Sequence, residues 1–389
     1  MVRIGDLLKI TAGQAAPKEF STEGTPFVRA GHIEDLISGE SLCSIPKVSE
    51  LIAKKNRLKK IPKGSILFAK SGMSATKNRV YITEEEVYFV SHLAAILPTD
   101  KVSVNYLARY LSWYNPSKLI LDEAYPSIRL EDINNLKIPL PPLETQKRIA
   151  NILDEADKLR QLNNKIIEKY DELTQSLFLD MFGDPVTNPK GWEKKKLSEV
   201  CNKITDGTHH SPEPQSDGYP YVTAKHVKEY GLDFKSKPSY IKREAHEEIF
   251  RRCSPEYGDV LYIKDGATTG IACINSFNEP ISLLSSLALL KLNKNELNNL
   301  YLCHWLNHDG IKAKLINEFM SGAAIQRYTL KKINSFVLTV PPIQIQNQFA
   351  DRVKAIEEQK VKVQESKQKS EDLFNSLLQR AFSGELVDQ

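Results

Sequence analysis

Two long stretches of the chain have the apolar spacing of coiled-coil helices. In the first, seam positions alternate by steps of three and four; they are Ile149, Ile152, Ala156, Leu159, Asn163, Ile166, Tyr170, Leu173 and Leu177. In the second, they are Phe349, Val353, Ile356, Lys360, Val363, Lys367, Ser370, Phe374, Leu377 and Ala381. A seam sustained over several heptads predicts a long helix that packs against an apolar partner. The first helix is predicted to run from Glu144 to Met181.

The two predicted helices are the simplest partners for each other, because both need one and both are in the same chain. Asn163, Lys360 and Lys367 lie mid-seam, where polar residues can set the register of a coiled coil. The alternative is that each helix packs back on the domain that precedes it.

The segments before the two helices have the mixed pattern of compact α/β domains. Short apolar runs alternate with Gly, Pro, Asn and Asp turns. In the first segment Ser65–Phe68 and Val87–Ile96 read as strands and Asn105–Trp113 as a helix; in the second, Gly258–Ile263 reads as a turn and strand and Leu300–Leu306 as a helix. Pro139, Pro141 and Pro142 end the regular structure before the first long helix.

The chain is an internal duplication. Residue n matches residue n+194 without a gap for about ninety residues, as in Lys9 and Lys203, and the offset then drifts to 200, as in Phe182 and Phe382. A period this long is a duplicated domain and not a solenoid unit, whose period is roughly 20–50 residues. We therefore predict an α+β fold with four segments: residues 1–140, 141–183, 184–340 and 341–389. Two similar surfaces suit a ligand with two related sites, such as duplex DNA.

Charge and composition fit a DNA-binding protein only modestly. The net charge is +4, and residues 1–140 contain 19 Lys and Arg against 15 Asp and Glu, while residues 184–340 contain 21 against 18. The basic excess therefore belongs to the repeats and not to the helices. Five scattered cysteines without a CxxC pair predict reduced thiols, and the lack of an apolar stretch near ~20 residues or of a signal peptide predicts a cytoplasmic protein.

Motifs for catalysis are missing from the sequence. It has no G-x-G, no GxxxxGK[ST] loop, no G-x-S-x-G and no HExxH, and no Asn/Asp-Pro-Pro-aromatic run of the kind that adenine-N6 methyltransferases use. His209 and His210 are neighbours on a loop, which is poor geometry for one metal ion. We expect no metal and no cofactor in this chain.

Three pairs of equivalent polar loops remain as candidate DNA contacts. Lys, Ser and Thr side chains donate to phosphates, and Asp, Ser and Thr also read base edges. The candidate residues are Thr11, Gln14, Arg29, His32, Lys70, Ser71, Ser74, Thr76 and Lys77 in the first repeat, and Thr205, Asp206, Thr208, His209, His210, Lys225, His226, Lys264, Asp265, Thr268 and Thr269 in the second. The alternative is that each loop is an ordinary turn whose Gly and Ser serve backbone shape.

Several motifs resemble the specificity subunits of type I restriction-modification systems over nearly the whole chain. They are Ile138-Pro-Leu-Pro-Pro-Leu-Glu-Thr-Gln146, Val340-Pro-Pro-Ile-Gln-Ile-Gln346, Leu177-Phe-Leu-Asp-Met-Phe-Gly-Asp-Pro185, Asp206-Gly-Thr-His209 and Gly258-Asp-Val-Leu261 with Gly266. The first repeat departs from this pattern, with Thr11-Ala-Gly-Gln14 where the second has Asp206-Gly-Thr-His209.

The resemblance implies a non-catalytic DNA-reading adaptor. Each repeat would be a target-recognition domain for one half of a bipartite DNA site, and the helices would form an antiparallel spacer with pseudo-two-fold symmetry. They would dock two methyltransferase subunits that bring S-adenosylmethionine and flip an adenine, and motor-nuclease subunits can join. Two alternatives stay open: a self-sufficient nuclease or methyltransferase, and a coiled-coil scaffold that does not bind DNA.

Overall fold

The computed structural model describes residues 1–229, 231–319 and 327–386. By its contacts the chain divides into two compact units. Unit 1 contains Met1–Asn164 and Gln364–Gln389, and unit 2 contains Lys165–Val363. Each unit therefore combines one globular repeat with part of both long helices.

The first globular repeat holds nine short strands and four helices. The strands are β1 Val2–Arg3, β2 Ile10–Ala12, β3 Thr25–Val28, β4 Lys47–Val48, β5 Ile66–Ala69, β6 Val80–Ile82, β7 Tyr88–Phe89, β8 Leu93–Ile96 and β9 Lys137–Ile138. The helices are α1 His32–Ile37, α2 Glu50–Lys55, α3 Val104–Tyr114 and α4 Leu130–Asn135. The run predicted as one strand over Val87–Ile96 is two strands, because residues 90–92 turn between them.

The first long helix, α5, spans Leu143–Phe182, one residue beyond the predicted helix at each end. The second globular repeat follows. Its strands, within the described residues, are β10 Glu193–Lys196, β11 Cys201–Asp206, β12 Tyr219–Val222, β13 Val227–Lys228, β14 Gly231–Leu232, β15 Tyr240–Ile241, β16 Val260–Ile263, β17 Ala272–Ile274, β18 Ser282–Leu283, β19 Leu287–Leu292 and β20 Val337–Val340. Its helices are α6 Leu197–Val200, α7 Arg243–Arg252, α8 Asn299–Asn307, α9 Asp309–Phe319 and α10 Leu330–Asn334, and the second long helix, α11, is Ile343–Ser383.

The two repeats have sheets with the same strand order, and β2, β5 and β8 pair in the same register as β11, β16 and β19. The first has a four-stranded sheet in the order β2-β8-β5-β6 and a three-stranded sheet β4-β3-β7; the second has β11-β19-β16-β17 and β15-β12-β18. Leu67 pairs with Ala95 in the first and Leu261 with Leu289 in the second, which preserves the offset of 194 in both partners. This α+β duplication is the predicted fold.

A buried glutamine attaches each long helix to its globular repeat. The Gln146 amide donates to the carbonyl of Pro141 at 2.8 Å, and its Oε1 accepts from the backbone N–H of Ser103, just before α3, at 2.9 Å. Gln346 repeats this arrangement with Pro341 (2.7 Å) and Asn298 (2.9 Å). Because a buried amide must be hydrogen-bonded, the proline-to-glutamine junction fixes where the helix starts.

Each unit packs parts of both long helices together and against its own repeat. In unit 1, Leu153 of α5 and Phe374 and Phe382 of α11 share a core with Tyr106 of α3. In unit 2, Phe349 of α11 meets Phe178 of α5 edge-on at 5.7 Å. The two packing arrangements considered from sequence therefore occur together.

Within each unit the two helix segments run antiparallel. In unit 1, the Asn163 amide donates to the Ser370 hydroxyl at 3.2 Å, and the Arg160 guanidinium lies 4.8 Å from the ring centre of Phe374. In unit 2, Lys360 pairs with Asp171, whereas nearer the start of α11 Phe349 faces Phe178. Residue numbers thus rise along one helix as they fall along the other.

The predicted seam positions of α11 are all buried or half-buried, whereas two of those of α5 are exposed. Leu159 and Leu173 are 44% and 49% exposed, and Leu153 and Thr174 are buried beside the predicted positions. The buried stripe is displaced because α5 also covers its own repeat, where Arg109 pairs with Asp157 at 2.9 Å. None of the helices in the described part of the chain is long and apolar enough to cross a membrane.

Candidate nucleic-acid interface

The topology gathers the predicted loops at one edge of each four-stranded sheet. β2 and β5 both pair antiparallel with β8, so they run parallel to each other and their carboxyl ends lie at the same edge. The loops after Ala12 and after Ala69 leave from this edge, where β8 begins. β3 pairs in parallel with β7, which brings its carboxyl end to the same turn, residues 90–92.

We call residues 90–92, and residues 284–286 of the second repeat, the central turn. Three consecutive residues of it each form a backbone hydrogen bond with one of the three loops. In the first repeat the bonds are Val90 N–H to Val28 O (3.0 Å), Ser91 N–H to Gln14 O (2.8 Å) and Lys70 N–H to His92 O (2.8 Å). In the second they are Leu284 N–H to Val222 O (3.1 Å), Ser285 N–H to Thr208 O (2.8 Å) and Lys264 N–H to Ser286 O (2.9 Å). Both repeats therefore hold their loops by one scaffold of main-chain bonds, which leaves side chains free to differ.

The paired glycines in the first loop are required by space. A Cβ added at Gly13 would lie 2.2 Å from the carbonyl oxygen of Phe89, and one at Gly207 only 1.8 Å from that of Leu283. Nothing larger than a hydrogen fits where the loop crosses the strand. These two glycines therefore allow the loop to pack closely against the neighbouring strand.

Two of the four histidines predicted to contact DNA, His32 and His226, stabilise turns. His32 Nδ1 accepts from the backbone N–H of Arg29 at 3.3 Å, and His226 Nδ1 accepts from that of Thr223 at 3.0 Å. The other ring nitrogen of His226 then donates to the carbonyl of Lys237 at 2.9 Å. Burial lowers the pKa of both histidines, so both hold their turns as neutral rings.

The loop that follows β5 or β16 is tied to a second segment of its repeat. The carbonyl of Lys70 accepts from the N–H of Ile128 at 2.7 Å, and the carbonyl of Lys264 accepts from the N–H of Tyr328 at 2.7 Å. At the start of the first loop, the Ser71 hydroxyl and His92 Nδ1 lie 2.8 Å apart. The segments just before α4 and α10 therefore belong to the same edge as the central turn.

The two equivalent lysines have different surroundings. Lys264 is buried, with a side chain 3% exposed, and its Nζ lies 3.2 Å from Asp206 Oδ2. Lys70 is half-buried, and Ala12 occupies the position equivalent to Asp206 in the first repeat. Because a buried charge must be paired, Lys264 is committed to Asp206 in a way that Lys70 is not.

Asp206 also holds two groups that reach the surface. Its Oδ1 accepts from Arg252 Nη2 at 2.5 Å, and its Oδ2 lies 3.7 Å from His209 Nε2. The side chains of Arg252 and His209 are 54% and 47% exposed, against 3% for Asp206. The buried Asp206 thus contacts two exposed side chains, Arg252 and His209.

Comparison with known proteins identifies the family. The family model of the type I restriction modification DNA specificity domain matches residues 1–170 and 189–371. The chain belongs to this family. It is a type I specificity subunit, as the motifs predicted.

Relatives and solved structures resemble the chain over most of its length. A candidate MjaX type I restriction enzyme specificity subunit from Methanocaldococcus jannaschii is 27% identical over 325 residues, 76% of this chain and 72% of the relative. The MjaIX specificity subunit of the same organism is 23% identical over 368 residues, 87% and 81%. The crystal structure of an S subunit from M. genitalium has a TM-score of 0.57 at 15% identity, covering 98% of this chain and 95% of its own. A chain from a structure of type I R-M complex assembly has a TM-score of 0.59 at 20% identity, covering 99% and 97%.

The specificity subunit places its predicted site residues at three depths. Exposed are Arg29, Thr76, Lys77, His209, His210, Lys225 and Thr268. Half-buried are Thr11, Gln14, His32, Lys70, Ser71, Ser74, Thr208 and Asp265. Buried are Thr205, Asp206, His226, Lys264 and Thr269. The buried residues can affect a ligand only through the neighbours that they hold.

Sequence reasoning missed several residues of this edge. Ser91-His92 and Ser285-Ser286 of the central turn lie at the same offset of 194 as the predicted loops, so the duplication itself could have indicated them. Arg252 has no such signal, because it ends the ten-residue helix α7, whereas the corresponding helix α2 has only six residues. Over residues 1–229, 231–319 and 327–386, no cluster of three or more His, Cys, Asp or Glu side chains could hold a metal ion.

Proposed function

We propose that this specificity subunit recognises a bipartite DNA sequence, with each globular repeat reading one half. The observation that carries the proposal is that the same edge occurs in both repeats. In each repeat three loops are hydrogen-bonded to the central turn, while the side chains of these loops differ between the repeats. A fixed scaffold with variable side chains is what recognition of two different half-sites requires, because base edges are read by side chains.

The basic surface of each edge supports duplex DNA as the ligand. Arg29 and Lys77 are exposed in the first repeat, and Lys225 and Arg252 in the second. Lys and Arg provide the phosphate contacts that give binding most of its salt dependence. The helices would fix the spacing of the half-sites and dock two methyltransferase subunits, which bind S-adenosylmethionine and methylate adenine; motor-nuclease subunits would join through them.

A domain exchange tests the division of labour. Residues 1–140 are replaced by the same segment of a related specificity subunit, residues 184–340 are replaced in a matched variant, and methylated adenines are mapped with the partner methyltransferase present. Each exchange should change one half-site and leave the other intact, because the two repeats have separate cores. An exchange that changes both half-sites would contradict the proposal.

The two alternatives are separated by simpler assays. A self-sufficient methyltransferase would transfer label from S-adenosylmethionine to DNA with the isolated chain, and we expect no transfer. If the chain were a scaffold without DNA contact, replacing its exposed Arg29, Lys77, Lys225 and Arg252 by alanine would leave the DNA affinity of the assembled complex unchanged. If it reads DNA, these replacements should lower the affinity and reduce its salt dependence.

A further inference from the structure

In the second repeat, Asp206 contacts one buried basic side chain and one exposed basic side chain. It is the last residue of β11 and only 2% exposed. One carboxylate oxygen contacts Lys264 at 3.2 Å and the other Arg252 at 2.5 Å. Two cations on one carboxylate leave a local positive charge, and the exposed Arg252 carries it to the surface.

The side chain of Lys264 is buried, and the backbone groups of Lys264 are hydrogen-bonded within the repeat. Its side chain is 3% exposed, its N–H donates to the carbonyl of Ser286, and its carbonyl accepts from Tyr328. Reaching DNA would require Lys264 to leave Asp206, which would then be buried beside Arg252 alone. Removing one member of a buried ion pair is strongly unfavourable.

Arg252 is positioned at the same edge as the loops. It is the last residue of α7, and its carbonyl accepts from Lys203 Nζ at 2.9 Å. The hydrogen bond to Asp206 uses one of the five N–H donors of a guanidinium. The remaining donors suit a phosphate or the O6 and N7 atoms of guanine, which arginine binds in a bidentate manner.

The first repeat lacks this device. Ala12 pairs with Ala94 in the register in which Asp206 pairs with Ala288. The shorter helix α2 ends at Lys55 after six residues, so it has no counterpart of Arg252, the tenth residue of α7. The half-buried Lys70 therefore has no carboxylate at the position that holds Lys264.

We propose that Asp206 is a positioning residue that withdraws Lys264 from DNA and aims Arg252 at it, whereas in the first repeat, with Ala12 in the place of Asp206, Lys70 contacts DNA itself. The inference rests on the proposed function. It replaces the prediction of two equivalent lysine contacts by an arginine contact in one half-site and a lysine contact in the other.

The first test measures DNA affinity of the complex with its methyltransferase subunits at several salt concentrations. Arg252→Ala should weaken binding roughly 5- to 150-fold. Arg251→Ala is the matched control, because Arg251 precedes Arg252 on α7 and is also exposed. A loss of specificity at one base position of the second half-site would indicate that Arg252 contacts a guanine. A loss of affinity that is the same for all sequences, with a salt slope lower by about 1, would indicate that it contacts a phosphate. Wild-type affinity of Arg252→Ala, or an equal loss in Arg251→Ala, overturns the inference.

The second test separates positioning from folding. Asp206→Ala alone would leave Lys264 buried without its partner. Asp206→Ala is therefore combined with Lys264→Met, and folding is checked by circular dichroism. The folded double variant should lose affinity although Arg252 is present, and adding Arg252→Ala should cost little more. If the loss of the double variant and the loss of Arg252→Ala add in full, the positioning role is overturned. Wild-type affinity of the double variant overturns it as well. Lys264→Met alone should keep its affinity, and a large loss in the folded single variant would make Lys264 itself the contact.

The third test transfers the device to the first repeat. Lys70→Ala should weaken binding through the first half-site, and Ala12→Asp should mimic that loss because the new carboxylate would engage Lys70. An effect of Lys70→Ala without one of Ala12→Asp contradicts the inference. If the wild-type complex itself fails to bind a bipartite site, the proposed function fails; if it binds and all variants match it, only the inference fails.

Discussion

Replacing Gly207 by alanine should disrupt the edge of the second repeat. The φ angle of Gly207 lies outside the left-handed range, so alanine can adopt its backbone conformation and the obstacle is space alone. The new Cβ would lie 1.8 Å from the carbonyl oxygen of Leu283, where ordinary contact begins at 3.4 Å. The loop must therefore move by the difference, about 1.6 Å.

The cost follows from what that movement breaks. Overpacking costs roughly 1–3 kcal/mol, and the displaced loop weakens the bonds from Thr208 N–H to Leu283 O (2.9 Å) and from Ser285 N–H to Thr208 O (2.8 Å). Each bond contributes about 0.5–1.5 kcal/mol, so the free energy of unfolding should fall by roughly 2–6 kcal/mol in total. At about 2–4 °C for each kcal/mol, unit 2 should melt roughly 4–24 °C lower.

Thermal unfolding followed by circular dichroism measures this loss, and methylation mapping at a permissive temperature shows its effect on the half-sites. Recognition of the second half-site should become less specific, whereas recognition of the first should not change. Gly13→Ala should cost less, because its Cβ meets the Phe89 oxygen at 2.2 Å, and Gly31→Ala is the control, since nothing lies within 4 Å of its Cβ. An unchanged melting temperature of Gly207→Ala, or an equal loss in Gly31→Ala, would refute the reasoning.

The remaining predictions concern the long helices and their packing. Burial lowers the pKa of His304 from 6.5 to about 4. The contribution of the neutral His304 ring to the free energy of unfolding is therefore complete above pH 6.5 and is lost as the pH falls toward 4. His304→Phe should flatten the measured dependence of the free energy of unfolding on pH over that range. Asn163→Leu with Ser370→Ala should be nearly neutral in chemical denaturation, whereas Ser370→Ala alone should cost about 1–3 kcal/mol because it leaves the buried Asn163 amide without its acceptor. Inserting four residues into both helices, after Asn164 and after Val363, lengthens each by ~6 Å; methylation mapping should then show a spacer one or two base pairs longer at ~3.4 Å per pair, and an unchanged spacer in an active complex would exclude the helices as the ruler.

The sequence by itself determined the elements and their duplication. The run from Asn105 to Trp113 and the heptads after Ile149 have a period that only a helix satisfies, and the structure ends α3 and α5 within one residue of the predictions. The offset of 194 also relates β2, β5 and β8 of the first repeat to β11, β16 and β19 of the second, and these strands pair in the same register. The prolines and the glutamine of each junction fixed where the long helices begin.

Only the tertiary structure decided which side chains of those elements are buried and which act together. The spacing of α5 could not reveal that Leu159 faces outward, because the buried stripe depends on two neighbours, its own repeat and α11. Nor could alignment reveal that Lys264 is buried while Lys70 is half-exposed: the difference comes from Asp206, 58 positions away in sequence and 3.2 Å away in space. Burial and charge pairing depend on which strands lie side by side, and the offset that relates the repeats carries no information about a contact made in only one of them.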